Sequence, residues 1–237
     1  MRGVILAAGR GSRLGEATAS LPKPLLVVGG RACIDFAVEA LLSVVSEVIV
    51  VTGYQADQVE GHLRQRWRDS PIRTVRNLDL EAGNLTSLRA ARASLGRDPF
   101  VVTNADHLFP AAMYTRHFQP GADVTIACER DRTILDDEMK VLASGERLTD
   151  IAKTLTQYDG AYIGTTAVGA DMTTRYWGAF DAVAAEADVR TASVEMVLAR
   201  LARDTATAPR LQWIEGLRWY EVDTQEDLDL AREGLGA

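Results

Sequence analysis

Two cysteines in 237 residues, Cys33 and Cys128, are too few and too far apart for a disulfide framework or a metal-ligand spacing. They read as reduced, buried thiols. Basic residues are also short, with 26 Lys and Arg against 33 Asp and Glu. The net charge of −7 argues against broad binding to nucleic acid or to an anionic membrane surface. No apolar run approaches the ~20 residues that span a bilayer. Met1-Arg2 leads straight into a strand, without the apolar region and cleavage site of a signal peptide, so a cytoplasmic location is expected. Internal repeats, linkers and low-complexity tracts are missing. So are two common nucleotide fingerprints. No Gly-Lys-Ser or Gly-Lys-Thr follows the first glycine-rich turn, and Leu14 stands where a dinucleotide loop needs its third glycine.

What the chain does have is an alternation of apolar strands and amphipathic helices, the pattern of an α/β fold. Strands are expected at 3–6, 47–52, 73–76 and 100–103, and helices at 32–43, 56–67 and 84–95. The second half reads less regularly. Strands fall at 124–129, 161–168 and 211–215, a hairpin at 140–142 and 147–151, and helices at 173–186, 193–203 and 225–233. One domain over 1–237 is expected, with a nucleotide half at about 1–120 and an acceptor half at about 121–237.

The first strand runs into Leu6-Ala7-Ala8-Gly9-Arg10-Gly11-Ser12-Arg13-Leu14, and Leu21-Pro22-Lys23-Pro24-Leu25 follows. Small residues at 7–9 and 11 let a phosphate lie against backbone N–H groups. Arg13 and Lys23 add two positive charges to the same turn, which suits a polyphosphate. A lone Gly-x-Gly would be a simple turn; the cations and the Pro-Lys-Pro clamp point to phosphate.

Asp106 follows a buried strand, at the edge where open α/β sheets bind ligands, with Ala105 beside it. A turn or helix-cap aspartate is the alternative. Glu221 and Asp223 are two apart and share a face if extended. Asp223 could instead cap the last helix. Together with Asp106 the acids suit Mg²⁺, which takes hard oxygen ligands and keeps several waters. Gly83, Asn84 and Ser87 open a helix, where Asn84 and Ser87 either cap it or contact a base. Trp67, Trp177 and Trp213 read as packing residues, and His107 as a structural neighbour of Asp106.

These motifs resemble the sugar-phosphate nucleotidyltransferase signature L-A-A-G-x-G-[ST]-R-L…P-K-P-L. The Trp219-Tyr220-Glu221-Val222-Asp223 element, Gly83-Asn84-Leu85-Thr86-Ser87-Leu88, Asp106-His107-Leu108-Phe109 and Met139-Lys140-Val141 resemble the branch that uses inositol 1-phosphate, phosphocholine or phosphonates with CTP. Ile151-Ala152-Lys153 and Tyr158-Asp159-Gly160 fit the same branch. The resemblance implies a Rossmann-like mixed, mostly parallel sheet flanked by helices, with a small substrate lobe. It implies a Mg²⁺-dependent transferase that moves CMP from CTP to a small phosphorylated or phosphonate acceptor and releases pyrophosphate.

In that reading Lys23 and Arg13 are catalytic, and Leu6, Ala7, Ala8, Gly9, Gly11, Ser12, Gly83, Asn84, Ser87 and Ala105 bind the nucleotide. Lys140, Lys153 and Tyr158 bind the acceptor, and Asp106, Glu221 and Asp223 bind the metal. Ala152, Tyr162 and Gly15 depart from the branch pattern, which leaves the acceptor open. A sugar-phosphate transferase using GTP, ATP or UTP, and a silent nucleotide-binding regulator, are the alternatives. A homodimer is among the states the resemblance implies.

Overall fold

The structure is a computed structural model that describes residues 1–236, apart from the side chain of residue 16. In chain order the elements are β1 (Arg2–Ala7), β2 (Val27–Val28), β3 (Arg31–Ala32), α1 (Cys33–Leu42), β4 (Glu47–Thr52), α2 (Ala56–Arg66), β5 (Ile72–Arg76), α3 (Asn84–Leu95), β6 (Phe100–Asn104) and β7 (His107–Leu108). They continue with β8 (Val124–Glu129), β9 (Lys140–Ser144), β10 (Arg147–Ala152), β11 (Gly160–Val168), α4 (Thr173–Glu186), α5 (Val194–Ala202), β12 (Arg210–Trp213), β13 (Tyr220–Glu221) and α6 (Gln225–Leu235).

A nine-stranded sheet runs in the order β5-β4-β1-β6-β11-β8-β12-β10-β9. β1 lies between β4 and β6 in parallel register, which is why it is apolar on both faces. Val4 and Leu6 pack under α3, α4 and α5, whereas Ile5 and Ala7 pack under α1 and α2. The parallel pairings are β5–β4, β4–β1, β1–β6 and β8–β12. The rest of this sheet is antiparallel, and β9 also pairs with β11, so the second-half end curls back on itself. The parallel character expected of the sheet therefore belongs mainly to the first half.

The predicted helices and long strands all form. Ends shift by one or two residues, and the strand expected at 211–215 is β12 at 210–213. Two-residue strands have no readable period, so the β2–β3 hairpin and the β7–β13 pair gave no signal in the sequence. Among the described residues no helix is long and apolar enough to cross a membrane.

Asp35 ties the first half together. It is buried in the first turn of α1, where Oδ2 accepts the Ala32 N–H at 3.3 Å. Oδ1 accepts Trp67 Nε1–H at 2.7 Å and lies 2.8 Å from His62 Nε2. Burial works against its charge, but the His62 and Trp67 contacts outweigh it and hold the carboxyl below its usual range. A depressed carboxyl stabilises the fold above the unfolded value of about 3.9 and loses that contribution as pH falls through the folded value. Asp35→Ala should cost about 3 kcal/mol at pH 7. The gap to the wild type should narrow below about pH 4, as read from denaturant titrations.

Candidate active site

The chain leaves β1 at Ala7 and turns through Gly9 and Gly11 into a 3₁₀ stretch at Ser12–Thr18. The two glycines serve different ends. Nothing stands within 4 Å of where a Gly9 side chain would begin, so a ligand has free approach to the backbone. Gly11 has φ +68°, and a Cβ there would lie 2.8 Å from Lys23 Cβ; it makes room for the lysine stem. Pro22 and Pro24 flank Lys23 in a second 3₁₀ turn, closed by Leu25 N–H to Pro22 O at 2.8 Å.

Lys23 is buried, and its ammonium sits between two carboxylates. It donates to Asp106 Oδ2 at 2.5 Å and to Asp223 Oδ1. Arg13, more exposed, pairs through Nη1 with Asp223 Oδ2 at 3.0 Å. The residues come from distant parts of the chain. β7 and β13 pair antiparallel, with Glu221 opposite His107, and Val222 N–H donates to Asp106 O at 3.1 Å. Val222 is fully buried and anchors the join, so Glu221 and Asp223 flank it on the site side. Thr224, not Asp223, caps α6: its hydroxyl accepts the Asp227 N–H, and Asp227 Oδ2 accepts the Thr224 N–H. That frees the Asp223 carboxylate for Lys23 and Arg13.

His107 is buried behind the acids. Its Nδ1 lies 2.7 Å from Asp106 Oδ1, its Nε2 4.0 Å from Glu221 Oε1, and its ring stacks on Trp219 at 5.5 Å. Gly164, at φ +70°, makes room for it, since a Cβ there would lie 2.5 Å from Nε2.

Burial opposes the Lys23 charge, but Asp106 and Asp223 outweigh it and hold the ammonium protonated. Burial likewise opposes Asp106, and Lys23 and His107 overcome it, so that carboxyl sits well below the usual range. Burial pushes the Glu221 carboxyl up, His107 opposes the rise, and Asp106 and Asp223 add to it. Burial also pushes the nearby Cys33 thiol up to about 12, which leaves it unreactive.

The donor set fits a hard divalent cation. Asp106, His107 and Glu221 bring one ligand atom each within 4.8 Å of one another, and Asp223 adds a carboxylate across Lys23. Two of these acids, Asp106 and Asp223, already share a cation, the Lys23 ammonium. Oxygen donors of this kind suit Mg²⁺.

Lys23, Asp106, Glu221 and Asp223 line a cavity of about 430 Å³. It takes in every sequence-predicted site residue except Gly83, Lys140 and Tyr158. Gly83 is needed for packing, because a Cβ there would stand 2.0 Å from Ala192 O. Lys140 is buried, and its ammonium is spent on the backbone carbonyls of Asp136 and Lys153, both at 2.9 Å. Tyr158 is exposed at 42%, with its ring 5.7 Å from the Lys140 nitrogen.

The cavity also includes Asn77, Asp79, Leu80, Ala82 and Asn104, which the sequence reading missed. Asn77 directly follows parallel strand β5, so the strand-edge rule that singled out Asp106 also reaches it. Its amide donates to Thr86 Oγ1 and Ser87 Oγ, both at 3.1 Å. Asn84 is the first residue of α3 rather than its cap, and its Oδ1 accepts the Val194 N–H at 2.9 Å.

Residues 3–162 match the MobA-like NTP transferase domain. A bifunctional IPC transferase and DIPP synthase from Rubrobacter xylanophilus is 30% identical over 234 residues, which is 97% of this chain and 50% of that protein. The chain spans about half the length of the curated relatives it matches over nearly its whole extent. Among solved structures, the inositol-1-phosphate CTP transferase from T. maritima superposes with a TM-score of 0.80 at 21% identity, over 100% of this chain and 98% of that one. The CTP:phosphocholine cytidylyltransferase from Streptococcus pneumoniae superposes with a TM-score of 0.81 at 20% identity, over 99% of both chains. At these identities the superpositions establish the nucleotide-diphospho-sugar transferase fold, with its mixed sheet flanked by helices. The extent of the domain match places the chain in the MobA-like NTP transferase family.

Proposed function

We propose that the chain transfers CMP from CTP to a small phosphorylated or phosphonate acceptor and releases pyrophosphate. The observation that carries this reading is the buried Lys23 ammonium held between Asp106 and Asp223, beside a glycine-rich turn at the carboxyl edge of the sheet. An oxygen of the acceptor phosphate attacks the α-phosphorus, and the bond to pyrophosphate breaks. No covalent enzyme intermediate is needed, so the protein's work is to align two anions and neutralise charge.

Lys23 serves the α-phosphate and the incoming oxygen, where a fixed, protonated ammonium is worth most. Arg13 and the backbone of residues 9–13 hold the departing pyrophosphate. Lys153, which lines the same cavity, orients the acceptor phosphate. Asp106, Asp223 and Glu221 would hold Mg²⁺, which when bound neutralises the phosphate charge.

The base assignment rests on hydrogen-bond supply. Asn84 Oδ1 is taken by Val194 and Ser87 Oγ already accepts from Asn77, so the Asn84 NH₂ and the Ser87 O–H remain as donors. Cytosine offers adjacent acceptors at O2 and N3, whereas uracil places an N–H at N3. Two neighbouring donors therefore favour CTP over UTP. Ser87→Ala should lower kcat/KM for CTP about tenfold or more, through KM, and narrow the preference over UTP. Competition between the two nucleotides measures it.

Pyrophosphate release with Mg²⁺ and each NTP, against inositol 1-phosphate, phosphocholine, a simple phosphonate and hexose 1-phosphates, tests the reading. Turnover of CTP with a non-sugar acceptor is expected. Turnover confined to another NTP and a hexose phosphate overturns the base and acceptor assignment.

A further inference from the structure

Lys140 is the buried cation that the proposed reaction leaves without a task. It is 5% exposed, and no carboxylate pairs with it among the described residues. Burying a charge is costly unless it is well partnered. The Lys140 nitrogen has two backbone carbonyls and the face of Tyr158. Those partners indicate what the buried ammonium does.

The two carbonyls belong to different loops. Asp136 lies in the irregular segment 130–139 between β8 and β9, and Lys153 opens the irregular segment 153–159 between β10 and β11. Among the described residues no hydrogen bond runs directly from one loop to the other; the Lys140 ammonium joins them. The first loop is otherwise tied to itself, to neighbouring strands and, through Arg130–Glu215 and Gly216 N–H to Asp131, to the segment 214–219; the second is tied to strand β9. Arg132 pairs with Glu138 across the first loop, and the Asp159 carboxylate accepts the Ala143 N–H. Lys153 is among the residues that line the cavity, and its carbonyl accepts from the Lys140 ammonium.

We infer that Lys140 is a positioning residue: its ammonium clasps the loops 130–139 and 153–159, and so aims Lys153 at the acceptor's anionic group. Tyr158 completes the clasp by covering the ammonium with its ring face. This rests on the proposed role of Lys153 as the acceptor ligand.

The test pairs hydrogen exchange with kinetics on Lys140→Met, Tyr158→Leu and Tyr158→Phe. In Lys140→Met both loops should lose protection together, by about tenfold or more, while residues 1–120 keep theirs. The KM for the acceptor should rise about tenfold with the KM for CTP unchanged, and adding Lys153→Met should cost little more than Lys153→Met alone. Tyr158→Leu should show a smaller version of both effects, and Tyr158→Phe, which keeps the ring, neither. Tyr158 is exposed, so these two variants carry the test if Lys140→Met does not fold.

Unchanged exchange in either loop overturns the clasp. Changed exchange with an unaltered acceptor KM, or a fall in kcat with both KM values raised together, overturns the positioning of Lys153. A wild-type chain that turns over no acceptor refutes the transferase reading by itself, whereas the exchange result still decides the clasp.

Discussion

Lys23→Met is expected to lower kcat/KM for CTP by about 10²–10³-fold, because it removes a fixed charge that serves the reacting phosphates. The same change leaves Asp106 and Asp223 facing each other without the ammonium that now joins them. Breaking a buried pair from one side costs about 3 kcal/mol. The variant should therefore melt lower than the wild type in the absence of divalent cations, and regain more of its stability when Mg²⁺ is added. That second effect separates the electrostatic role of Lys23 from a packing role, since a lost aliphatic stem is not restored by an ion. Lys23→Arg should not rescue turnover, because a planar guanidinium cannot sit as a point charge between two carboxylates. Near-normal turnover of Lys23→Met would remove Lys23 from the mechanism.

Gly83→Ala should cause a large loss of stability for a single added methyl. The new Cβ would lie 2.0 Å from the carbonyl oxygen of Ala192 and 3.0 Å from its nitrogen, both backbone atoms that cannot swing aside. Gly83 N–H also donates to Val189 O at 2.9 Å, so the start of α3 and the loop before α5 are locked face to face. Forcing them apart costs about 2–3 kcal/mol, or roughly 5–10 °C in melting temperature for a chain of this size. The KM for CTP should change little in the fraction that folds. A stable Gly83→Ala variant with impaired CTP binding would instead return Gly83 to the nucleotide site.

The contrast between Gly83 and Gly9 shows where sequence reading reaches its limit. Both are glycines near a helix start or phosphate turn. Only the three-dimensional neighbours distinguish a residue that makes room for a ligand from one that makes room for backbone 109 residues away. The long elements were legible because they are periodic. β1, β4 and β6 are continuous apolar runs, as central parallel strands require, and the strand-edge rule placed Asp106 at the site. The β7–β13 pair was not legible. Its strands are two residues each, yet they bring Asp106 and His107 beside Glu221 and Asp223. The shared face of Glu221 and Asp223 could be argued from spacing, but not the partner that makes the face useful. Lys140 shows the same limit, because no sequence pattern tells a lysine that binds a ligand from one that binds two carbonyls.

The most direct measurement follows the label from CTP carrying ³²P at the α-position, with Mg²⁺ and the acceptor that supports turnover. The expected result is one labelled CMP–acceptor product for each pyrophosphate released, no label on the protein, and loss of that product in Lys23→Met. Label retained on the chain, or appearing as free CMP without an acceptor conjugate, would contradict direct transfer at the Lys23–Asp106–Asp223 site.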